Sequence, residues 1–273
     1  ARVYLLAPRV RVPQEAPVPA LGPLREETWA VIGESGDLLM PAHLRNEPGV
    51  IQVLVENLEK RARYRLALDL ANDNSALKGK VEAELFRWVG ASLEKPELGP
   101  DSRPIFYEGD SLGLKVTNRS NRPLFIYVLD LGLTGRISLV HPNLGVEDSL
   151  KPGHTLEVGT LSPDSDLELF IPDEYPFAAA NPGEPELEGH ESLKIIATTH
   201  PTDFYPLFQS GMRGVASSLT SLLEATFGGG GYSPRDARIR SRSDDAEDWV
   251  ALDRSLRLRR RRESRLALGA RGV

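Results

Sequence analysis

Residues 105–141 constrain the fold of this chain most strongly, because strand periodicity and turn-forming residues alternate along them. From Leu112 to Thr117 every second residue is large and apolar, which is the period of a strand with one buried face. The turn-forming segment 118–123 follows, and residues 124–129 are apolar at nearly every position, as expected of a strand covered on both faces. After a second turn, residues 137–141 resume the alternation. Three strands on short turns predict an antiparallel meander in the middle of one sheet.

The rest of the chain predicts further short strands rather than a strand–helix–strand rhythm. Alternating apolar residues predict strands near residues 80–89, 156–158, 167–171, 193–198 and 250–258. Together these patterns predict a mainly β chain: an antiparallel β-sandwich, immunoglobulin-like or jelly-roll-like, with two or three added helices.

Helical spacing of apolar residues predicts two helices, near residues 50–70 and 202–227. The second would begin near a capping residue, Thr202, and end at the glycine run 228–231. The charged residues of the first helix are expected to form a solvated face. Its expected buried face consists of Ile51, Leu54, Val55, Leu58 and Ala62.

Composition shifts divide the chain into three expected regions. Residues 1–48 form a proline-rich linker, with five prolines between Pro8 and Pro23, followed by a small hairpin. Residues 49–259 form the sandwich, and residues 260–273 form a basic tail. Because the chain opens on strand-like residues without Met, we expect it to begin within a longer gene product.

Composition also excludes several classes of protein. The chain has no cysteine, so it has no disulfide, thiolate metal site or cysteine nucleophile. This composition fits a reducing compartment, and we expect a cytoplasmic protein. No apolar run approaches the roughly 20 residues of a membrane span, so no membrane partner is expected. The formal net charge of -6 argues against nucleic acid as a general partner.

No pattern of catalytic or metal-ligating residues stands out. The chain has no G-x-S-x-G motif, and its five histidines lack the H-x-x-x-H spacing that would place two imidazoles on one helix face. Adjacent carboxylates occur in loops and are expected to be solvated, which leaves their acidity unsuited to acid–base work. These are Asp164/Asp166, Glu186/Glu188 and Asp244/Asp245. We expect no catalytic residue, no cofactor and no metal.

The strongest electrostatic feature is the run Arg259, Arg260, Arg261 and Arg262. It could contact nucleic acid, an acidic protein surface or anionic lipid. It could equally be a protease-accessible linker or a frayed, solubilising tail. If the rest of the chain has a binding surface, the long loops at 172–189 and 232–247 are the expected place for it.

A set of short motifs is spread along the chain, namely Trp29–Gly33, Leu38–Pro41, Asn57–Lys60, Phe106–Asp110, Val116–Leu124, Tyr127–Gly135, Lys151–Gly153, Leu169–Pro172, Leu193–Thr199, Asp203–Phe204 and Asp248–Trp249. These motifs resemble the accessory domain that follows the catalytic domain in bacterial caspase-like proteases. The similarity runs from about Trp29 to Arg259.

The resemblance implies a parent protein with an N-terminal caspase-type fold that carries a His/Cys dyad. Since this chain has no cysteine, it would be the non-catalytic C-terminal part of such a protein. Its expected role is then to pack on or regulate the protease domain, or a cleaved fragment of it, and to present a surface to substrates or partners. The alternative is an independent adaptor module that binds another protein.

Overall fold

The structure is a computed structural model in which twelve strands and one α-helix lie in the described residues. The described residues are 2–6, 27–33, 38–142, 149–159, 167–173, 175, 177, 188–204, 207–212 and 248–260. In chain order the elements are β1 (Arg2–Leu6), β2 (Thr28–Ile32), β3 (His43–Leu44), α1 (Val50–Asp69), β4 (Val81–Val89), β5 (Ser92–Glu94), β6 (Ile105–Tyr107), β7 (Leu112–Asn118), β8 (Phe125–Leu131), β9 (Ile137–His141), β10 (Thr155–Val158), β11 (Glu188–Thr198) and β12 (Trp249–Arg259).

The strands form three sheets, and the two larger ones face each other as a sandwich. The four-stranded sheet has the order β10-β7-β4-β5, and the five-stranded sheet has the order β6-β12-β11-β8-β9. A small third sheet has the order β1-β2-β3. Pairing is antiparallel except between β6 and β12, which run parallel at one edge. The prediction of a mainly β, sandwich-like fold is confirmed.

The predicted meander of β7, β8 and β9 is wrong, because β7 belongs to one sheet while β8 and β9 belong to the other. The crossing occurs at Asn118, a fully buried residue at the end of β7. Its side-chain amide donates to the carbonyl oxygens of Arg122 and Leu150, at 2.9 and 2.8 Å, and its side-chain oxygen accepts from the backbone N–H of Ser120. These hydrogen bonds satisfy backbone groups of residues that are no longer paired in the first sheet. The chain after β7 can therefore cross to the second sheet instead of forming a hairpin.

Both faces of the five-stranded sheet are covered, as predicted for the apolar strand β8. Ile126 and Val128 point into the core between the two large sheets, together with Leu193 and Ile195 of β11. The alternate residues of β8 point outward and are also buried. These outward residues are Tyr127, Leu129 and Leu131.

The outer face of this sheet is covered by α1 and by the segment 207–212. Tyr64 of α1 packs against Leu131, and its hydroxyl donates to the carbonyl oxygen of Leu131 at 3.1 Å. Gln209 donates to the carbonyl oxygen of Lys60 at 2.8 Å and to that of Gly135 at 2.7 Å. The helix is therefore a third layer of the fold. It is held by hydrogen bonds to one backbone carbonyl group of the sheet and to one of its own.

The predicted buried face of α1 is only partly correct. The buried residues of α1 are Val50, Leu54, Asn57, Tyr64 and Ala67. Leu54 was predicted, but Ile51 and Val55 lie about 60° and about 100° around the helix from Leu54 and are exposed, at 58% and 50% of their surface. The sequence carries two overlapping apolar stripes, and the sheet covers only one of them.

The C-terminal end of α1 is fixed to the sheet by a buried lysine of β11. The Nζ atom of Lys194 donates to the carbonyl oxygens of Leu68 and Leu70, at 2.7 and 3.1 Å, and lies 2.6 Å from a carboxylate oxygen of Asp253. The side chain of Lys194 is 1% exposed. A cation at this position satisfies carbonyl groups that end the helix and opposes the negative end of its dipole.

Three further expectations need correction or lie outside the described residues. Residues 167–173 contain no strand and only one bridge, between Ser111 and Glu168, where Leu167 and Leu169 form backbone hydrogen bonds with residues 109–112. The described parts of the predicted helix at 202–227 hold no α-helix, and residues 205, 206 and 213–247 lie outside the description. The proline-rich stretch likewise lies outside it.

None of the helices in the described part of the chain is both long and apolar enough to cross a membrane. The α-helix of that part, α1, carries charged residues from Glu56 to Asp69.

Replacing Lys194 by Met should destabilise the fold by about 2–3 kcal/mol, because two helix-terminal carbonyl groups lose a charged donor in a buried site. The matched control is Lys115→Met, which removes a surface ion pair with Glu157 and should change the unfolding free energy by less than about 1 kcal/mol. Urea unfolding of both variants measures the difference. Equal effects of the two substitutions would refute the role assigned to Lys194.

Candidate functional site

A cleft of about 190 Å³ lies at one end of the sandwich, between the two large sheets. Leu112 of β7 and the segment 167–172 form one wall, and residues of β8, β9 and β11 form the other. Most of the lining is apolar. The polar side chains that line it are Asp130, Thr134, Arg136, Ser138, Glu168 and Glu191.

Two carboxyl groups, those of Asp130 and Glu191, lie together in this cleft. Asp130 pairs with Leu193 across β8 and β11, so Glu191, two residues before Leu193, points to the same inner face. Ser138 lies opposite Asp130 on β9, and its hydroxyl approaches Asp130 Oδ2 at 3.4 Å. The sheet register therefore brings together three side chains from three strands.

The carboxyl groups of Asp130 and Glu191 can form a hydrogen bond with each other only when they share a proton. Asp130 Oδ1 is sealed from solvent, and no N–H or hydroxyl donor of the described residues reaches it. Its neighbour is the Glu191 carboxyl group, with which it hydrogen-bonds when one of the two is protonated. The pair is thus a carboxyl–carboxylate dyad in an apolar cleft.

Burial dominates the acidity of this dyad. Burial raises the pKa of Asp130, although the Glu191 hydrogen bond, the Arg136 guanidinium and the Ser138 hydroxyl act in the opposite direction. Burial and the charge of the adjacent Asp130 carboxylate raise the pKa of Glu191 well above its usual value. Two carboxyl groups in contact cannot both ionise easily, so the pair holds one proton to a higher pH than an isolated carboxyl group would.

The loop carboxylates singled out in the sequence do not form this site. Of the six residues in the three carboxylate pairs, only Glu188 lies in the described residues. Its carboxylate accepts hydrogen bonds from Arg257 and Arg259, each at 2.7 Å. No group of three or more His, Asp or Glu side chains with the arrangement of a metal site occurs within the described ranges.

The arginine run is split by the structure. Arg259 ends β12 and bonds Glu188, and Arg260 bonds Glu108 at 3.0 Å. These two arginines are therefore part of the sandwich edge rather than of a free tail. Arg261 and Arg262 lie outside the described residues, and the role of the run in binding stays a prediction.

A second exposed feature is an apolar stripe on α1, which consists of Ile51, Val55, Ala62 and Leu66. These residues fall within about 60° of one another around the helix. Ile51, Val55 and Leu66 are 58%, 50% and 68% exposed. We call this set the α1 stripe.

The two loops expected to carry binding are described only in part. Pro172 lines the cleft, and the segment 178–187 and the whole of 232–247 lie outside the described residues. One sequence pattern does indicate the dyad, although no catalytic motif contains it. Asp130 follows Ile126 and Val128 in phase, and Glu191 precedes Leu193 and Ile195 in phase, so both acids occupy positions of the buried face.

Comparisons of the chain with protein-family models, curated proteins and solved structures gave no match.

Replacing Glu191 by Gln should stabilise the folded chain at pH 8 by on the order of 1 kcal/mol. The raised pKa of Glu191 means that the folded chain binds more protons than the unfolded chain above the ordinary glutamate pKa. The free energy of unfolding of the native sequence therefore falls as the pH rises through this window, and Gln removes that loss. At pH 4, where Glu191 is protonated in the folded state, the gain should vanish.

Chemical unfolding at pH 4 and pH 8 measures this effect. The matched control is Glu168→Gln, at the exposed rim of the same cleft, which should show little dependence on pH. A loss of stability of the Glu191→Gln variant at pH 8 would show that the carboxyl group is ionised and satisfied in the fold.

Proposed function

We propose that this chain is a non-catalytic interaction module that docks on a folded protein partner through the α1 stripe. The observation that carries the proposal is the exposure of three large apolar side chains on one helix face. The stripe extends over sixteen positions of α1, from Ile51 to Leu66, about 22 Å along the helix axis. Large apolar side chains exposed along one helix face are typical of a helix that binds another protein.

The stripe is presented rigidly. The opposite face of α1 packs on the five-stranded sheet, Tyr64 and Lys194 bond across that interface, and Val50 and Leu54 pack with Val31 and Met40 of the small sheet region. A docking surface that is already ordered loses little conformational entropy on binding. This favours a structured partner that fits a preformed helix face.

We infer that the partner is a caspase-type protease domain of the same parent protein. The support is the resemblance of the chain to accessory domains of bacterial caspase-like proteases, together with the position of the stripe. The stripe begins at Ile51, directly after the small sheet, and the resemblance places this part of the chain at the join to the protease domain. Strand β1 also pairs on one side only within the described residues, so it offers an edge for a further strand.

In this role the module would position or regulate the protease domain and present a surface to its substrates. The nucleophile would come from the protease domain, since the chain has no cysteine. An independent adaptor that binds an unrelated protein is the competing function. Measuring the affinity of the chain for the protease domain distinguishes the two.

A triple variant, Ile51→Gln, Val55→Gln and Leu66→Gln, should lose at least tenfold in affinity for the proposed caspase-type protease domain. Removing apolar contacts from the centre of an interface has effects of this size. Because these side chains are exposed and Gln is compatible with a helix, the unfolding free energy should change by about 0.5 kcal/mol or less per substitution.

Isothermal titration calorimetry with the separately expressed protease domain measures the affinity. The matched control is Leu98→Gln, which removes an equally exposed leucine, at 62%, outside α1. Full affinity of the triple variant would overturn the docking surface. An upstream reading frame without the His and Cys of a protease would overturn the partner and favour the adaptor.

A further inference from the structure

The cleft that contains Asp130 and Glu191 combines features that the docking of α1 does not use. It lies on the inner side of the five-stranded sheet, whereas α1 covers the outer side. Binding of a ligand in this cleft therefore does not depend on whether the α1 stripe binds a protease domain.

The ionisable groups of this cleft differ from the other buried charges of the fold. Lys194 is paired with Asp253, and the buried carboxylate of Asp110 lies 3.7 Å from the guanidinium of Arg87. In contrast, no Lys or Arg of the described ranges forms an ion pair with Asp130 or Glu191. Buried charges in proteins are normally paired, so this carboxyl pair has an open position for a cation.

Three groups besides the dyad determine the charge and the hydrogen-bonding capacity of the cleft. Arg136 is exposed at the rim and favours the charged form of Asp130 from a distance. Glu168, also exposed at the rim, adds a negative charge, and Ser138 supplies a hydroxyl group that can donate or accept. The sum of these charges leaves the cleft acidic.

The size and walls of the cleft select the shape of the ligand. A volume of about 190 Å³ corresponds to roughly six water molecules and is smaller than the usual pocket for a drug-sized ligand. The walls are leucines and valine, and Phe170, 59% exposed, lies at the mouth. An apolar stem with one cationic end matches this lining, since the stem contacts the leucines and the cation can contact the ring on entry.

We propose that this cleft binds the side chain of a lysine or arginine residue from an extended peptide segment, with the cationic group between Asp130 and Glu191. The ammonium or guanidinium group donates hydrogen bonds to both carboxyl groups and replaces the proton that they share. Asp130 Oδ1, which no backbone or hydroxyl donor of the described residues reaches, then gains a charged donor.

Two-dimensional NMR titration of the full chain with Nα-acetyl-lysine methylamide and Nα-acetyl-arginine methylamide tests the proposal. At least one of the two cationic probes should shift the backbone amide signals of Ser138 and Leu193, and binding should tighten as the pH rises because the dyad must release its proton. The neutral probe Nα-acetyl-norleucine methylamide should bind at least tenfold more weakly.

The variants Asp130→Asn and Glu191→Gln should each reduce the affinity for the cationic probe at least tenfold. Both replace a carboxyl group by a neutral amide of nearly the same size, so loss of the fold is not expected to obscure the result. Arg136→Gln should tighten binding several-fold because it removes a competing cation from the rim. The matched control is Glu84→Gln, an exposed carboxylate of β4 outside the cleft, which should retain full affinity.

Three results would overturn the proposal. The first is equal binding of the norleucine and lysine probes. The second is retention of affinity by both dyad variants. The third is a set of shifted signals that avoids the cleft, which would indicate unspecific attraction to an acidic chain.

Discussion

The five-stranded sheet must be buried on both of its faces, and most of the structure follows from that constraint. Its central strands carry apolar residues at inner and outer positions alike, so one opposing sheet covers only half of the apolar surface. The second half is covered by α1 and the segment 207–212, which makes the helix a structural layer. Burial of this kind supplies most of the favourable free energy of folding.

A helix that covers a sheet must also be held in place on it, and polar contacts at its C-terminal end and near its middle do so. At the C-terminal end Lys194 satisfies two carbonyl groups of the helix, and near its middle Lys60 bonds Ser210 and the carbonyl oxygen of Gly211. These contacts connect α1 to β11 and to the segment beside it. Because the inner side of the helix is fixed, its outward stripe is presented in one orientation.

The periodicity of apolar residues predicted the positions of the strands better than their arrangement into sheets. The alternation from Leu112 to Val116 and the uniformly apolar run of β8 predicted one-sided and two-sided burial correctly. The turn after β7 contains residues that suit a hairpin as well as a crossing between sheets, so its chemistry could not decide between them. The decision depends on Asn118, whose amide reaches Leu150, a residue far along the chain. Such contacts are not visible in local sequence patterns.

The two candidate sites were hidden in the sequence for different reasons. Helical spacing identified Ile51, Val55 and Leu54 together, and only the position of the sheet shows that the first two remain exposed. The acids of the cleft lie in different strands, 61 positions apart, and strand register alone brings them together. Since the cleft and the α1 stripe lie on opposite sides of the five-stranded sheet, a docked partner on the helix leaves the cleft accessible.

Amide hydrogen exchange of the isolated chain tests most directly whether α1 is an ordered layer that presents its stripe rigidly. The amides from Leu54 to Leu68 should be protected to nearly the same free energy as those of β8 and β11, because they open only when the sheet loses its cover. Exchange of these amides at the rate of an unstructured peptide, with β8 and β11 still protected, would contradict the account. The helix would then be an independent, loosely attached segment.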